Sequence, residues 1–271
     1  MKMITSLEEY KELVKTARDQ GCIVSNCFFL PNTIRDLTEK GKLFVRKIDA
    51  GLLLLEEADE FYRVRYYLRP GQIPEEQKFD KDCVIELPFQ NEFTPSQRMQ
   101  EEQISGMGFS LGRNSALMSI SSDNLKISVT VPFMDKISFA LEEDHENIYH
   151  LLKECFDPLY AFLPDEAELM GKIRCKQVWI LKSAGQIAAV LNSSMEKNTA
   201  MISHVAVASE FRGKGYGKMI VEVYHRYYKE RVRTFSHWVD LSNSHAINMY
   251  RVFGYQFIGR RANEYVFKIN S

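Results

Sequence analysis

Apolar residues recur at helical spacing from the start of the chain: Leu7, Tyr10, Leu13, Val14 and Ala17 line one stripe of a helix predicted over 6–18. Ser6, followed three residues later by Glu9, supplies the pattern of a capping box at its start. A short second helix is expected over 32–40, behind Pro31. The texture then changes. Residues 42–48, 51–56 and 60–68 are rich in branched and aromatic side chains and are separated by Asp-Ala-Gly and Glu-Ala-Asp turns, which predicts three antiparallel strands. Pro70, Gly71 and Pro74 break the run. A strand over 82–87, a helix over 96–104 and strands over 115–119 and 125–131 follow.

The second half is punctuated more sharply. Helices are expected over 145–156 and 165–171, then a hairpin from 177–182 and 186–192 around Ser183-Ala184-Gly185. The strand over 199–208 has two faces, Ile202, His204 and Ala206 on one and Met201, Ser203, Val205 and Val207 on the other. A glycine-punctuated turn from Phe211 to Gly217 leads into a helix over 218–231 with Met219, Ile220, Val223, Tyr224 and Tyr227 as its apolar stripe. A strand over 234–239, a helix over 245–253 and a final strand pair within 255–269 complete an α/β chain.

Length changes this picture, because 271 residues are better divided between two domains of ordinary size than gathered in one core. The boundary is expected within 134–143, where Glu142-Glu143-Asp144 opens a new helix on its favourable, positive end. This gives domains of 1–138 and 139–271. A net charge of -1 provides no global field for nucleic acid or an acidic membrane, so neither is expected as a partner. The purely apolar run 51–55 is far too short to cross a bilayer, and the first residues lack the apolar stretch of a secretory signal. A cytoplasmic location is therefore expected. Five cysteines without a C-x-x-C spacing, and histidines without an H-E-x-x-H pattern, predict no metal site.

Candidate chemistry lies where a strand, a glycine turn and a helix follow one another. Consecutive backbone N–H groups there can converge on an anion, and the helix N-terminus adds its partial positive charge. From Glu210 to Thr234 seven basic residues face three acidic ones, a local positive field that the whole-chain charge conceals. A P-loop would need Ser or Thr after Gly-Lys, and Gly213-Lys214 is followed by Gly215. A Rossmann turn would open its domain, and this one comes after three strands. A pyrophosphate site of another type remains.

Arg212-Gly213-Lys214-Gly215-Tyr216-Gly217 resembles the R/Q-x-x-G-x-G/A acyl-CoA loop of the GCN5-related N-acetyltransferase superfamily. Asn243-Ser-His-Ala246-Ile-Asn-Met-Tyr250-Arg-Val-Phe-Gly254-Tyr255 resembles its second signature, in the right order and one helix and one strand further on. The resemblance implies a mixed-sheet acyl-CoA N-acyltransferase fold, acetyl-CoA as acyl donor, and transfer of the acetyl group to an amine by direct attack. It implies that the loop Arg212, Gly213, Lys214, Gly215, Tyr216 and Gly217 holds the pyrophosphate. Val205, Ala206 and Val207 would pair with the pantetheine arm, Asn243 would bond the arm or cap its helix, and Tyr250 would protonate the departing thiolate. For the base, His204 is the first candidate, with Glu196, Asp240, His237, His245 or water as alternatives. The acceptor stays open between a small-molecule amine and a peptide or protein amine, and the assembly between monomer and homodimer. A non-catalytic acyl-CoA-binding or regulatory module, and a structural protein with a vestigial loop, are the rival classes.

The first half repeats the same order of elements and resembles the same superfamily, down to Gly106-Met107-Gly108-Phe109. Its match fails at Arg69-Pro70-Gly71-Gln72-Ile73-Pro74, where two prolines remove amides that a phosphate nest needs. The expectation is two tandem domains of one type, the first a degenerate copy. Its aromatic residues Phe28, Phe29, Tyr62, Tyr66 and Tyr67 are expected in the core.

Overall fold

The structure is a computed structural model that describes residues 1–128 and 134–269. It divides into two compact units, one of residues 1–114 and 260–271, the other of residues 115–259. The first unit is built from two stretches of chain and the second from one, with bounds other than those of a partition into 1–138 and 139–271. The first recovers its last strand from the C-terminus, and the second begins inside the strand 110–121.

In the first unit, helices α1 (Leu7–Asp19), α2 (Pro31–Glu39) and α3 (Pro95–Gly106) accompany strands β1 (Lys2–Met3), β2 (Val24–Ser25), β3 (Leu43–Ile48), β4 (Gly51–Ala58), β5 (Phe61–Leu68) and β6 (Asp82–Gln90). The order is β1-β3-β4-β5-β6, closed by the C-terminal strand. β5 and β6 are parallel, and β2 pairs with β5. Leu52 and Leu54 pack with Tyr10, Val14, Ile34 and Leu37, whereas Leu53 and Leu55 pack with Val64, Ile85 and Ile104. An unbroken leucine run is thus what a strand covered on both faces requires. Ser6 caps α1 as expected, but Glu9 turns its carboxylate to the Thr5 amide instead of completing the box. Phe28, expected inside, is 75% exposed. The segment 26–30 runs without regular structure, so its side chains do not alternate as a strand's would.

The second unit repeats the plan. The remaining strands are β7 (Ser110–Ser121), β8 (Ile137–Phe139), β9 (Val178–Ser183), β10 (Gln186–Glu196), β11 (Thr199–Val207), β12 (Thr234–Asp240) and β13 (Gln256–Phe267). Its helices are α4 (His145–Cys155), the unpredicted single turn α5 (Pro158–Ala161), α6 (Glu166–Arg174), α7 (Tyr216–Tyr228) and α8 (Ser244–Val252). The order β8-β9-β10-β11-β12-β7 mirrors that of the first unit, with β11 and β12 as the parallel pair. Two expectations are corrected. Residues 125–128 form no strand, while the rest of the expected 125–131 strand lies outside the described residues. The expected C-terminal strand pair is one strand, β13, because Arg260–Phe267 finds an antiparallel partner in β6 (Cys83–Gln90) and has no need to fold back on itself.

Candidate functional site

The site forms where two neighbouring strands stop being neighbours. β11 and β12 pair only over Thr199–Ile202 and Thr234–His237, although β11 keeps its bonds to β10 as far as Val207. Residues 203–207 therefore have no strand partner on their other edge among the described residues. Along this stretch Asn192 faces His204 and Ser193 faces Ile202, so Ser203 is the extra residue of a bulge that swings β11 away from its neighbour. His237 marks the fork, its Nδ1 lying 2.9 Å from the carbonyl oxygen of Ile202. The Val207 carbonyl accepts from Arg212 Nε at 3.2 Å and meets the Cys155 thiol at 3.7 Å, so it points into the opening. By the two-residue alternation of a strand, Val205 turns its polar groups the same way, while Ala206 turns its own towards β10.

At the mouth of the opening the chain makes its glycine turn. Gly213 and Gly215 have φ of 78° and 79°, a region in which a side chain is strained. A Cβ on Gly213 would meet nothing and one on Gly215 only Met219 Cε at 3.8 Å, so conformation, not crowding, asks for glycine there. Gly217 answers a different need. A Cβ there would lie 3.4 Å from Val207 Cγ2 and 3.8 Å from Val205 Cγ1, so the missing side chain lets α7 lie close against β11. The backbone N–H groups of residues 213–218 have no acceptor among the described residues. Six consecutive amides, at the positive end of a thirteen-residue helix and beside the exposed side chains of Arg212 and Lys214, form a nest with the shape and charge that suit an anion. Tyr216 closes its inner side through a hydroxyl contact of 3.3 Å with Ser183.

The second signature lies on α8. Asn243 caps this helix, its Oδ1 accepting from the Ala246 amide at 2.9 Å. Tyr250 is 1% exposed, stacks on His237 with centroids 4.3 Å apart, and has a hydroxyl without a partner among the described residues. Burial pushes its pKa up and keeps the phenol protonated. A buried, unpaired O–H is costly unless something accepts it, and an acceptor from a ligand would relieve that cost.

His204 is held elsewhere. Its ring faces α4 and α5, with Nε2 2.6 Å from the Ala161 carbonyl, Nδ1 3.2 Å from Asn192 Nδ2, and Phe156 against it edge-on. Nε2 donates, so Nδ1 accepts, and burial, the largest effect, lowers the pKa of the ring. No lone pair is left free to take a substrate proton, so the geometry counts against His204 as a base. His237 differs: its Nδ1 donates to the Ile202 carbonyl, which puts the ring's lone pair on Nε2, but burial pushes its pKa down to about 4 and makes it a weak base. The Asp240 carboxylate accepts from Ser242, and Glu196 and His245 are exposed. The Ser203 bulge, the His237 latch and the Asn192–His204 contact have no motif behind them. They depend on register, which only the paired strands reveal.

Among the described residues, no group of three or more His, Cys, Asp or Glu side chains is arranged to hold a metal ion. Among the same residues, no helix is long and apolar enough to cross a membrane.

Comparison with known proteins bears on the same segment. No curated protein matches the chain. Among solved structures it is similar to a GCN5-related N-acetyltransferase from Sphaerobacter thermophilus, at 15% identity over 81% of this chain and 77% of that one, with a TM-score of 0.54. It is also similar to an acetyltransferase of the GNAT family from Colwellia psychrerythraea, at 16% identity over 98% and 99%, with a TM-score of 0.51. A third likeness is to a tandem GNAT protein from the clavulanic acid biosynthesis pathway, at 13% identity over 81% and 79%, TM-score 0.51. At such identities these likenesses speak for the fold, a mixed α/β sheet shared with tandem proteins of this kind. The family model matches residues 135–255, which contain the amide nest, the fork between β11 and β12, and Tyr250. Residues 135–255 are a domain of the acetyltransferase (GNAT) family.

Proposed function

We propose that the second unit binds acetyl-CoA and transfers its acetyl group to an amine. The observation that carries this reading is the run of free amides at residues 213–218, opening directly onto the unpaired edge of β11. A pyrophosphate suits the nest, with Arg212 and Lys214 at its rim. An amide-bearing arm of pantetheine length suits the edge of 203–207, where Val205 and Val207 offer their polar groups as a strand would. The thioester then lies in the fork, towards Tyr250.

A neutral amine attacks the thioester carbonyl carbon, and the carbon–sulfur bond breaks as the new carbon–nitrogen bond forms. The nitrogen sheds one proton and the departing sulfur needs one. Burial raises the pKa of Tyr250 and, for a thiolate leaving beside it, that of the sulfur as well, so the phenol donates to the thiolate and recovers a proton from solvent. With both nitrogens of His204 engaged, the amine's proton leaves through water. The same engagement favours one second reading, a module that binds acyl-CoA without catalysing transfer.

Isothermal titration with acetyl-CoA, followed by an amine screen monitored by free-thiol release, tests both. One site per chain, lost in Gly215→Val, supports the binding half. Thiol release that depends on an amine and falls about 100-fold in Tyr250→Phe supports the catalytic half. Tight binding with no amine turnover supports the module, and no binding at millimolar acetyl-CoA rules out both.

A further inference from the structure

The first unit has the same fork as the second, but something already sits in it. β5 and β6 run parallel and pair only over Phe61–Arg63 and Asp82–Val84 before they part. Beyond that point Val24 and Ser25 lie against Leu68 and Tyr67 of β5 as an antiparallel strand. Asn26 then enters the gap itself. Its Oδ1 accepts from the Tyr66 amide at 2.8 Å, while its Nδ2 donates to the Glu86 carbonyl at 3.0 Å and reaches the Val64 carbonyl at 3.5 Å. One carboxamide thus bonds both strands just past the place where they stop bonding each other, and it is 4% exposed. The next residue is fixed as well, because the Cys27 amide donates to Ser25 Oγ at 3.0 Å.

We infer that residues 24–26 are an internal substitute for the pantetheine arm, and that Asn26 is the residue that seals the first unit against acyl-CoA. The inference rests on the coenzyme reading of the β11 edge. An amide that donates to one strand and accepts from the other is what a pantetheine amide offers, and here the chain supplies it from its own side chain. The seal also explains how the unit keeps its strands forked without a ligand. Parted strands leave backbone groups unsatisfied in the interior, and Asn26 satisfies three of them at once. The lost glycine loop after β5 and the sealed fork are two separate departures that remove the two halves of one binding site. The chain therefore carries a single acyl-CoA site, in the second unit.

Amide hydrogen exchange on the whole protein, with and without saturating acetyl-CoA, tests this. The expected result is that peptides covering 64–68 are protected already and do not change on adding acetyl-CoA, whereas peptides covering 203–208 exchange fast and become protected. Asn26→Ala should raise the exchange rate of the Tyr66 amide about tenfold or more. Further protection of 64–68 by acetyl-CoA, alongside protection of 203–208, overturns the seal and leaves the coenzyme reading standing. Failure of acetyl-CoA to protect 203–208 overturns both. A Gly215→Val protein that titrates one equivalent of acetyl-CoA while peptides covering 203–208 stay unprotected also overturns the seal, because that equivalent would have to bind the first unit.

Discussion

Two buried histidines give this protein an acid weakness. His225 is fully buried, bonded through Nε2 to the Tyr255 hydroxyl at 2.8 Å and packed against Phe235 and Phe253. Burial pushes it down to about 3, and His237 to about 4, from an ordinary value near 6.5. Above pH 6.5 both rings are neutral whether the chain is folded or not, and they leave stability independent of pH. Below it the unfolded chain takes up protons that the folded one refuses, so stability falls as pH drops from about 6.5 towards 4. The loss should reach several kcal/mol, read as a falling urea midpoint, and a His225→Leu/Tyr255→Phe protein should show a shallower decline. Asn243→Ala removes a helix cap and should cost about 1 kcal/mol, with a matching fall in Tm. Residue identities of this kind were partly legible. The glycines of the turn, Asn243 and Tyr250 can be read from order and spacing, since each meets a local demand. The hydrogen bonds of His204 were not legible, because sequence gives its face but not the Ala161 carbonyl that lies across from it.

Elements were legible wherever a period ran long enough. The two faces of β11 are as alternation predicts, with Ala200, Ile202, His204 and Ala206 buried and the residues between them half-covered. Pairing was not legible, because a strand's partner leaves no trace in its own period. The bulge at Ser203 and the early end of the β11–β12 ladder both belong to that hidden layer, and they are what part the two strands. Gly215 tests the turn as an element. In Gly215→Val a left-handed residue acquires a branched side chain, at a cost of about 1–2 kcal/mol. Acetyl-CoA affinity should fall more than that strain alone accounts for, because the nest amides lose their common direction. Titration of Gly215→Ala beside Gly215→Val separates the two effects, since alanine adds the smaller obstacle.

On the scale of the whole chain, the units are built by exchange. β7 follows α3 in sequence but pairs with β12, while β13 follows α8 and pairs with β6. β13 brings Ala262, Tyr265 and Val266 into the interior of the first unit, and Glu264 closes on Arg113 at 2.6 Å. A chain stopped after Gly259 should therefore lose the first unit. The buried side chains alone contribute more than about 3 kcal/mol, and limited proteolysis should cut first within residues 1–114. A linear reading puts a boundary between the halves because composition and acidic capping change there. It has no means of seeing that the last strand of each half belongs to the other.

The exchange also sets a timetable for synthesis. A ribosome that has delivered every residue through α3 has made an N-terminal half whose sheet still exposes the edge of β6. That edge stays open while more than a hundred further residues are translated, until Arg260–Phe267 leave the exit tunnel. The completion of the first unit thus waits on a strand made long after the rest of it, and over that interval an open sheet edge exposes the nascent chain to aggregation.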